Sequence, residues 1–164
     1  MERSKKMIKK FRTYLAGAFC PYKDYRDWRD LMHEKVHNKR ILLHDPRDES
    51  NQLCPATFTI DDARGVLKSD IILHARFKGY EDEGASWEHG IAFGYNLGNP
   101  DKKQKLIIYA DETDTPFPLH FGSANVTFNR LETAVDFLNS LDSLEKFEWF
   151  QSYNALLDRA RSKE

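Results

Sequence analysis

Cysteine is scarce in this sequence, which has only Cys20 and Cys54, far apart in the chain. Two isolated cysteines do not make the disulfide framework of a small secreted domain, and they indicate a reducing compartment. The chain also lacks an apolar run long enough to span a membrane. Residues 2–12 are basic, like the start of a signal peptide, but the apolar run at 14–20 is short and contains a glycine. We therefore expect a cytoplasmic protein without a membrane partner.

A strong excess of either charge is absent as well. The 25 basic and 26 acidic side chains give a net charge of -1, which argues against a nucleic-acid polymer as partner. Charged residues make up 31% and hydrophobic residues 40% of the 164 positions. This composition is typical of one globular domain that is large enough to bury a core.

Several common nucleotide and catalytic motifs are missing. The sequence has neither G-x-x-x-x-G-K-[ST] nor G-x-G-x-x-G, and Gly17 stands alone in its segment. The segment 84–88 contains Ser86 but lacks the second glycine of a nucleophile elbow. We therefore expect no organic redox cofactor and no serine triad.

Strand and helix patterns alternate along the whole chain, which predicts a mainly parallel sheet covered by helices on both faces. The fold class is therefore α/β: a single-domain, flavodoxin-like or Rossmann-like three-layer sandwich with five strands. We divide the chain into a charged leader at 1–10, the α/β domain at 11–142, and an amphipathic helix at 143–164 that packs on the domain or a partner subunit. The predicted strands lie at 12–16, 40–43, 70–75, 105–109 and 125–128.

The stretch 82–94 combines two acids with three glycines near helical spacing. Glu88 is expected in the first turn of a helix, where the helix dipole favours an ionised carboxylate that can attack a sugar carbon. Asp82, six positions earlier, could transfer a proton. Alternatively, both acids simply cap the helix, and spacing alone favours this explanation. The glycines at 84, 90 and 94 suggest that something approaches the helix closely.

A second pattern, H-E-x-x-H, occurs from His33 to His37. It would place two zinc ligands on one helix face with Glu34 as general base. However, the helix pattern ends at once and no third ligand follows on a suitable element, so a solvated helix edge is the stronger explanation. We therefore expect no metal site.

Three segments together resemble the nucleoside 2-deoxyribosyltransferase family: 13–19 (TYLAGAF), 68–73 (KSDIIL) and 82–92 (DEGASWEHGIA). The resemblance covers roughly residues 11–110. It implies a cytoplasmic homo-oligomer without cofactor that exchanges the base of 2'-deoxynucleosides in nucleotide salvage. Its small-molecule partners would be nucleosides and free bases.

The resemblance also implies roles for individual residues. Glu88 would form a covalent deoxyribosyl ester, Asp82 would carry the proton of the departing base, and Tyr14 would orient the nucleophile. The other residues would contact the substrate, with Phe19 in the pocket wall and Asn125 as a possible replacement contact to the sugar: Asp70, Phe19, Gly17, Ser86, Trp87 and Asn125.

One departure from the family concerns an Asn-x-Met segment that members often carry after the fourth strand. Here Pro118 and His120 stand in that region. The departure leaves the choice between transfer and hydrolysis open. An N-glycoside hydrolase of (deoxy)nucleosides or their 5'-monophosphates is therefore the alternative, and a non-catalytic nucleotide-binding module is the third hypothesis.

Overall fold

The computed structural model describes residues 9–51 and 53–144 as alternating strands and helices. The predicted C-terminal helix lies outside these residues from 145 onwards, as do residues 1–8 of the leader. The elements are β1 (Phe11–Ala16), α1 (Trp28–Lys35), β2 (Ile41–His44), α2 (Pro46–Glu49), α3 (Pro55–Lys68), β3 (Ile71–Phe77), α4 (Glu83–Gly98), β4 (Leu106–Glu112), α5 (Pro118–Ser123), β5 (Val126–Phe128) and α6 (Leu131–Ser140).

The five strands form one sheet in the order β2-β1-β3-β4-β5, and every neighbouring pair is parallel. The chain leaves β1 in one direction to form β2 and then crosses back to form β3 on the other side of β1. This reversal opens a crevice beyond the carboxyl ends of β1 and β3, where ligands of such sheets bind. The predicted fold class is confirmed.

Two apolar cores cover the two faces of the sheet because successive strand side chains point to opposite sides. On one face, Leu15 and Leu73 pack with Trp28 and Met32 of α1 and with α6. The opposite core also contains Val66 of α3 and Ala92 of α4. Its buried strand residues include Tyr14, Ile72, Ile107 and Tyr109.

Two helices, α2 and α5, lie between the predicted strands in segments where the sequence shows no helical period. In α2, Asp45 caps the helix through the amide of Arg47 and Pro46 occupies the first turn. Pro118 likewise occupies the first turn of α5, whose N-cap residue Phe117 makes no side-chain hydrogen bond to the helix. Both helices are too short to show an apolar period, so proline in the first turn is their main sequence signal.

The glycines of α4 are not closely packed within the described part of the chain. A Cβ atom at Gly90 or Gly94 would meet no atom within 4 Å, and at Gly84 it would approach only the Asp82 side chain. The close approach occurs instead at Gly65 of α3, where a Cβ would lie 2.7 Å from Cε2 of Tyr14 and 2.8 Å from Nε2 of His44. Gly65 therefore lets α3 lie directly against these two rings.

No helix in the described ranges, 9–51 and 53–144, is both long and apolar enough to cross a membrane.

Candidate active site

A cavity of about 260 Å³ lies at the carboxyl edge of the sheet, between the β1–α1 loop, α3 and the start of α4. The crevice predicted from the parallel topology is therefore present. A second cavity continues from it along α3 and α4 and shares four of its residues. The first cavity is lined by Gly17, Phe19, Arg29, Pro46, Phe58, Asp62, Asp82, Gly84 and Glu88.

Glu88 is the buried acid of this cavity. Its Oε1 accepts a hydrogen bond of 2.6 Å from the hydroxyl of Tyr14. Burial raises the pKa of Glu88 to about 8, although the Tyr14 hydrogen bond acts in the opposite direction. The expected position in the first helical turn is wrong, because α4 begins at Glu83 and Glu88 lies in the second turn. Loss of water therefore outweighs the helix dipole, and the uncharged acid is favoured at neutral pH.

Tyr14 is positioned by β1, and its ring is completely buried. Burial raises the pKa of its hydroxyl above the ordinary value, and the neighbouring Glu88 and Asp62 carboxylates raise it further. A phenol in this environment stays protonated. It therefore donates its hydrogen bond to Glu88 across the whole physiological pH range.

Asp82 lies at the rim of the cavity as the N-cap of α4. Its Oδ1 accepts a hydrogen bond of 2.8 Å from the amide of Gly84. The capping interpretation and the catalytic one are therefore compatible, since an N-cap uses only some of the lone pairs of a carboxylate. Asp82 also lines a neighbouring cavity of about 350 Å³, together with Arg76, Ser86 and His120.

Asp62 of α3 completes a group of three acids, and the sequence analysis did not assign it a role. Its Oδ1 is buried and has no hydrogen-bond partner among the described residues. An unpaired buried acceptor is costly, and this feature distinguishes Asp62 from the other two acids of the cavity. Helical spacing was the sequence feature that indicated an inward position for Asp62, because this residue shares a helix face with Gly65 and the buried Val66.

The β1–α1 loop forms one wall of the cavity. Gly17 adopts φ +154°, and a Cβ there would lie 2.6 Å from the carbonyl oxygen of Ala75, so no other residue fits easily. Phe19 is exposed and lies over the guanidinium of Arg29, 4.8 Å from ring centroid to Cζ. The loop therefore offers an accessible aromatic face at the entrance.

Arg29 of α1 fixes the backbone of this loop through hydrogen bonds. It is fully buried and donates hydrogen bonds to the carbonyl oxygens of Leu15, Gly17 and Ala18. Its Nη1 also lies 3.1 Å from Oδ1 of Asp27. Arg29 is thus a buried cation in a cavity with three acids, and it lowers the pKa of Glu88 slightly against the larger effect of burial.

Ser86 and Trp87 lie beside the main cavity and do not line it. The hydroxyl of Ser86 is 3.2 Å from the carbonyl oxygen of Asp82 and belongs to the neighbouring cavity. Trp87 is exposed and lines the continuation along α3 with Phe58.

Two predicted contact residues lie at the opposite edge of the sheet. Asp70 precedes β3, so it lies at the amino end of that strand, where its carboxylate accepts from the amide of Arg12 and pairs with Lys103. Asn125 precedes β5, and its Oδ1 accepts from the amide of Ile107 near the start of β4. The structure therefore places both residues away from the carboxyl ends of the strands, where ligand crevices of parallel sheets lie.

The H-E-x-x-H segment does not form a zinc-binding helix face. Helix α1 ends at Lys35, so His37 lies beyond it, with its Nδ1 3.0 Å from the carbonyl oxygen of Lys35. His33 instead groups with Asp45 and Asp48. The carboxylate of Asp45 is already bound by Arg47, with Nη2 2.6 Å from Oδ2, which disfavours a cation there.

The segment that stands in place of the family's Asn-x-Met forms α5, and its His120 side chain points into the protein. His120 of α5 is buried within its own chain against His74 and His89, with ring centroids 4.6 Å and 5.0 Å away. Nδ1 of His74 lies 3.0 Å from Nδ1 of His89, and Nε2 of His89 lies 2.8 Å from the hydroxyl of Ser123. Burial lowers the pKa of all three histidines, to about 3 for His89, so the cluster is uncharged at neutral pH.

Among solved structures, the chain is similar to the 2-desoxiribosyltransferase from Leishmania mexicana, with a TM-score of 0.53 and 14% sequence identity. The match covers 79% of this chain and 97% of the other. The two proteins share a fold. At this identity the likeness shows the fold alone.

A conserved protein from Enterococcus faecalis V583 is also similar, with a TM-score of 0.46, 17% identity, and coverage of 94% of this chain and 99% of the other. No protein-family profile matches the chain, and no curated protein matches it either.

Proposed function

We propose that this protein is a nucleoside 2-deoxyribosyltransferase that exchanges the base of 2'-deoxynucleosides through a deoxyribosyl ester of Glu88. The observation that carries the proposal is the hydrogen bond of 2.6 Å between Glu88 and Tyr14, inside a cavity that Asp62 and Asp82 also line. A buried carboxylate with a fixed orientation, near other acids that can exchange protons, suits two successive displacements at one sugar carbon.

In the first displacement, an oxygen of ionised Glu88 bonds to the anomeric carbon while the bond from that carbon to the base nitrogen breaks. Asp82 passes a proton to the departing base. A second base then attacks the same carbon, returns its proton to Asp82 and releases Glu88. Only the ionised form of Glu88 can attack, and its pKa near 8 makes this the minor form of the free protein at pH 7.

The charges around the cavity favour a substrate without a 5'-phosphate. Three acids line the cavity, and its one lining cation, Arg29, donates to backbone carbonyl oxygens and to Asp27. Nearby Arg47 is paired with Asp45 and Asp30, and Arg76 with Asp111. A phosphate would meet net negative charge and no free guanidinium in this group.

The chemistry needs no metal or organic cofactor. Self-association belongs to the same proposal, because α5 and its N-cap expose three large apolar side chains near the rim: Phe117, Leu119 and Phe121. A second copy could cover this surface and complete the sugar site. A cytoplasmic location is also proposed, on the basis of the two free cysteines, Cys20 and Cys54.

Chromatography of a deoxyinosine reaction, with and without free adenine, tests the proposal. We expect deoxyadenosine to form only when adenine is present. Glu88→Gln should abolish its formation while the circular dichroism spectrum stays native. Glu34→Gln, an exposed acid on α1, is the matched control and should exchange at the wild-type rate. Exchange that survives in Glu88→Gln would rule out Glu88 as the nucleophile.

A hydrolase is the second candidate, and the inward turn of His120 favours it. Because α5 buries this side chain in its own chain, the segment does not offer it to the sugar of a neighbouring site. Water could then replace the acceptor base. Free hypoxanthine formed at the same rate with and without adenine, and no deoxyadenosine, would establish hydrolysis. Binding of a nucleoside without any product would instead support the non-catalytic module.

A further inference from the structure

Tyr14 is held by a second ring as well as by the sheet. The imidazole of His44, from the end of β2, stacks on the phenol with ring centroids 5.0 Å apart and an interplanar angle of 27°. Parallel β1 and β2 place the two residues side by side, since Tyr14 and His44 are register partners. The stack therefore follows directly from strand pairing.

Helix α3 packs against both rings of this stack. A Cβ at Gly65 would lie 2.7 Å from Tyr14 and 2.8 Å from His44, so the helix backbone touches both rings. Both side chains are buried. Neither ring can therefore turn away from the other without moving α3.

The imidazole has its own anchor. A guanidinium nitrogen of Arg12 contacts Nδ1 of His44 and also lies 2.7 Å from Oε2 of Glu49. Oε2 of Glu49 also lies 3.0 Å from this ring nitrogen, so the guanidinium and the carboxylate together hold this edge of the imidazole. Burial lowers the pKa of His44, although Glu49 acts in the opposite direction, and the ring is therefore neutral at neutral pH.

We infer that His44 is a positioning residue for the nucleophile: anchored by Arg12 and confined by Gly65, its flat ring holds the Tyr14 hydroxyl on Glu88. The inference rests on the proposed role of Glu88 in catalysis. His44 does not line the cavity with Glu88 and acts through Tyr14. What matters is a flat ring at this position.

The test measures the pKa of Glu88 directly, by carbon NMR of the full chain labelled in glutamate carboxyls, with Glu88→Gln to assign the signal. Tyr14→Phe gives the largest upward shift of the Glu88 pKa to be expected, because loss of the hydroxyl removes a hydrogen bond that lowers this pKa. His44→Ala should shift this pKa upward in the same direction. His44→Phe, which restores a flat ring, should keep it at the wild-type value, as should His37→Ala, an exposed histidine control.

Turnover should follow the same pattern. We expect kcat to fall about tenfold in His44→Ala with KM within about twofold, because only the orientation of the nucleophile changes. His44→Phe should recover most of kcat. If His44→Ala does not fold, His44→Leu keeps the volume without the flat ring and should raise the pKa of Glu88 as well.

Two results overturn the inference: an unchanged Glu88 pKa in both His44→Ala and His44→Leu, or a His44→Phe protein that behaves like His44→Ala. The NMR readout does not depend on any substrate. Expected pKa shifts without base exchange in the wild type would therefore refute the proposed function alone. Base exchange with unchanged pKa values would refute the positioning role alone.

Discussion

Replacing Gly65 with alanine tests whether the contact of α3 with the two rings is as tight as the structure indicates. The new Cβ would lie 2.7 Å from Cε2 of Tyr14 and 2.8 Å from Nε2 of His44, well inside ordinary contact distance. Both rings are buried, so relief requires movement of the helix or of the stack. Overpacking of this kind costs about 1–3 kcal/mol of folding free energy.

The same substitution has an opposing benefit, because alanine favours a helix over glycine by about 1 kcal/mol. The net loss at Gly65 is therefore up to about 2 kcal/mol. Gly90→Ala on α4 is the matched control: it brings the helical benefit, and its Cβ would meet no atom within 4 Å. We expect Gly90→Ala to be up to about 1 kcal/mol more stable than wild type.

Urea unfolding at pH 7, followed by circular dichroism, measures both effects. The two variants should differ by about 1–3 kcal/mol, which corresponds to several degrees in melting temperature for a chain of this size. Gly65→Ala should also exchange bases more slowly than Gly90→Ala, because Tyr14 is displaced from Glu88. If Gly65→Ala is as stable as Gly90→Ala, the close approach of α3 is refuted.

Three further predictions concern the pH dependence. Asp62→Asn removes a negative charge near Glu88 and should therefore lower the pKa of Glu88. The acid limb of the pH profile of kcat/KM should then move to lower pH. An unchanged acid limb would contradict the electrostatic coupling between the two acids. The pKa of Glu88 rises from 4.5 to about 8 on folding, so its contribution to stability is complete below about pH 4.5 and is lost by about pH 8, a change on the order of 5 kcal/mol. Glu88→Gln should remove this decline in urea unfolding at pH 5 and pH 9, and an equally steep decline in the variant would exclude the high pKa. The pKa of His89 falls on folding, so acid destabilises the fold below about pH 6.5. Between pH 7 and pH 5, His89→Gln should therefore lose about 2 kcal/mol less folding free energy than the wild type. Equal losses in the two proteins would refute the burial of an uncharged ring.

Much of the fold was predictable from the sequence because long apolar runs mark buried parallel strands. Strand β3 illustrates this, since its first residues are apolar without interruption and its core position follows from that pattern. Helices α2 and α5 were missed because four to six residues cannot display a helical period.

The positions of site residues were predictable when the residues belong to one helix, and less so when they lie on separate elements of the fold. Asp82 and Glu88 belong to one helix and its cap, so their spacing placed them on the same cavity. Asp70 was assigned to the site although it precedes its strand, and strand direction alone sends such a residue to the opposite edge. Asp62 was overlooked because helical spacing shows only that it shares a face with Gly65 and Val66, whereas the packing of that face against Tyr14 is a long-range contact.

The carbonyl contacts of Arg29 have a consequence for redesign. The guanidinium on α1 fixes the backbone of Leu15, Gly17 and Ala18, so this loop and the start of that helix are one structural unit. Exchanging the loop alone for that of another protein would leave a buried cation without its acceptors. A successful graft must transfer residues 15–29 together, including the Asp27 partner, and the entrance aromatic at Phe19 would then be carried along in its correct orientation.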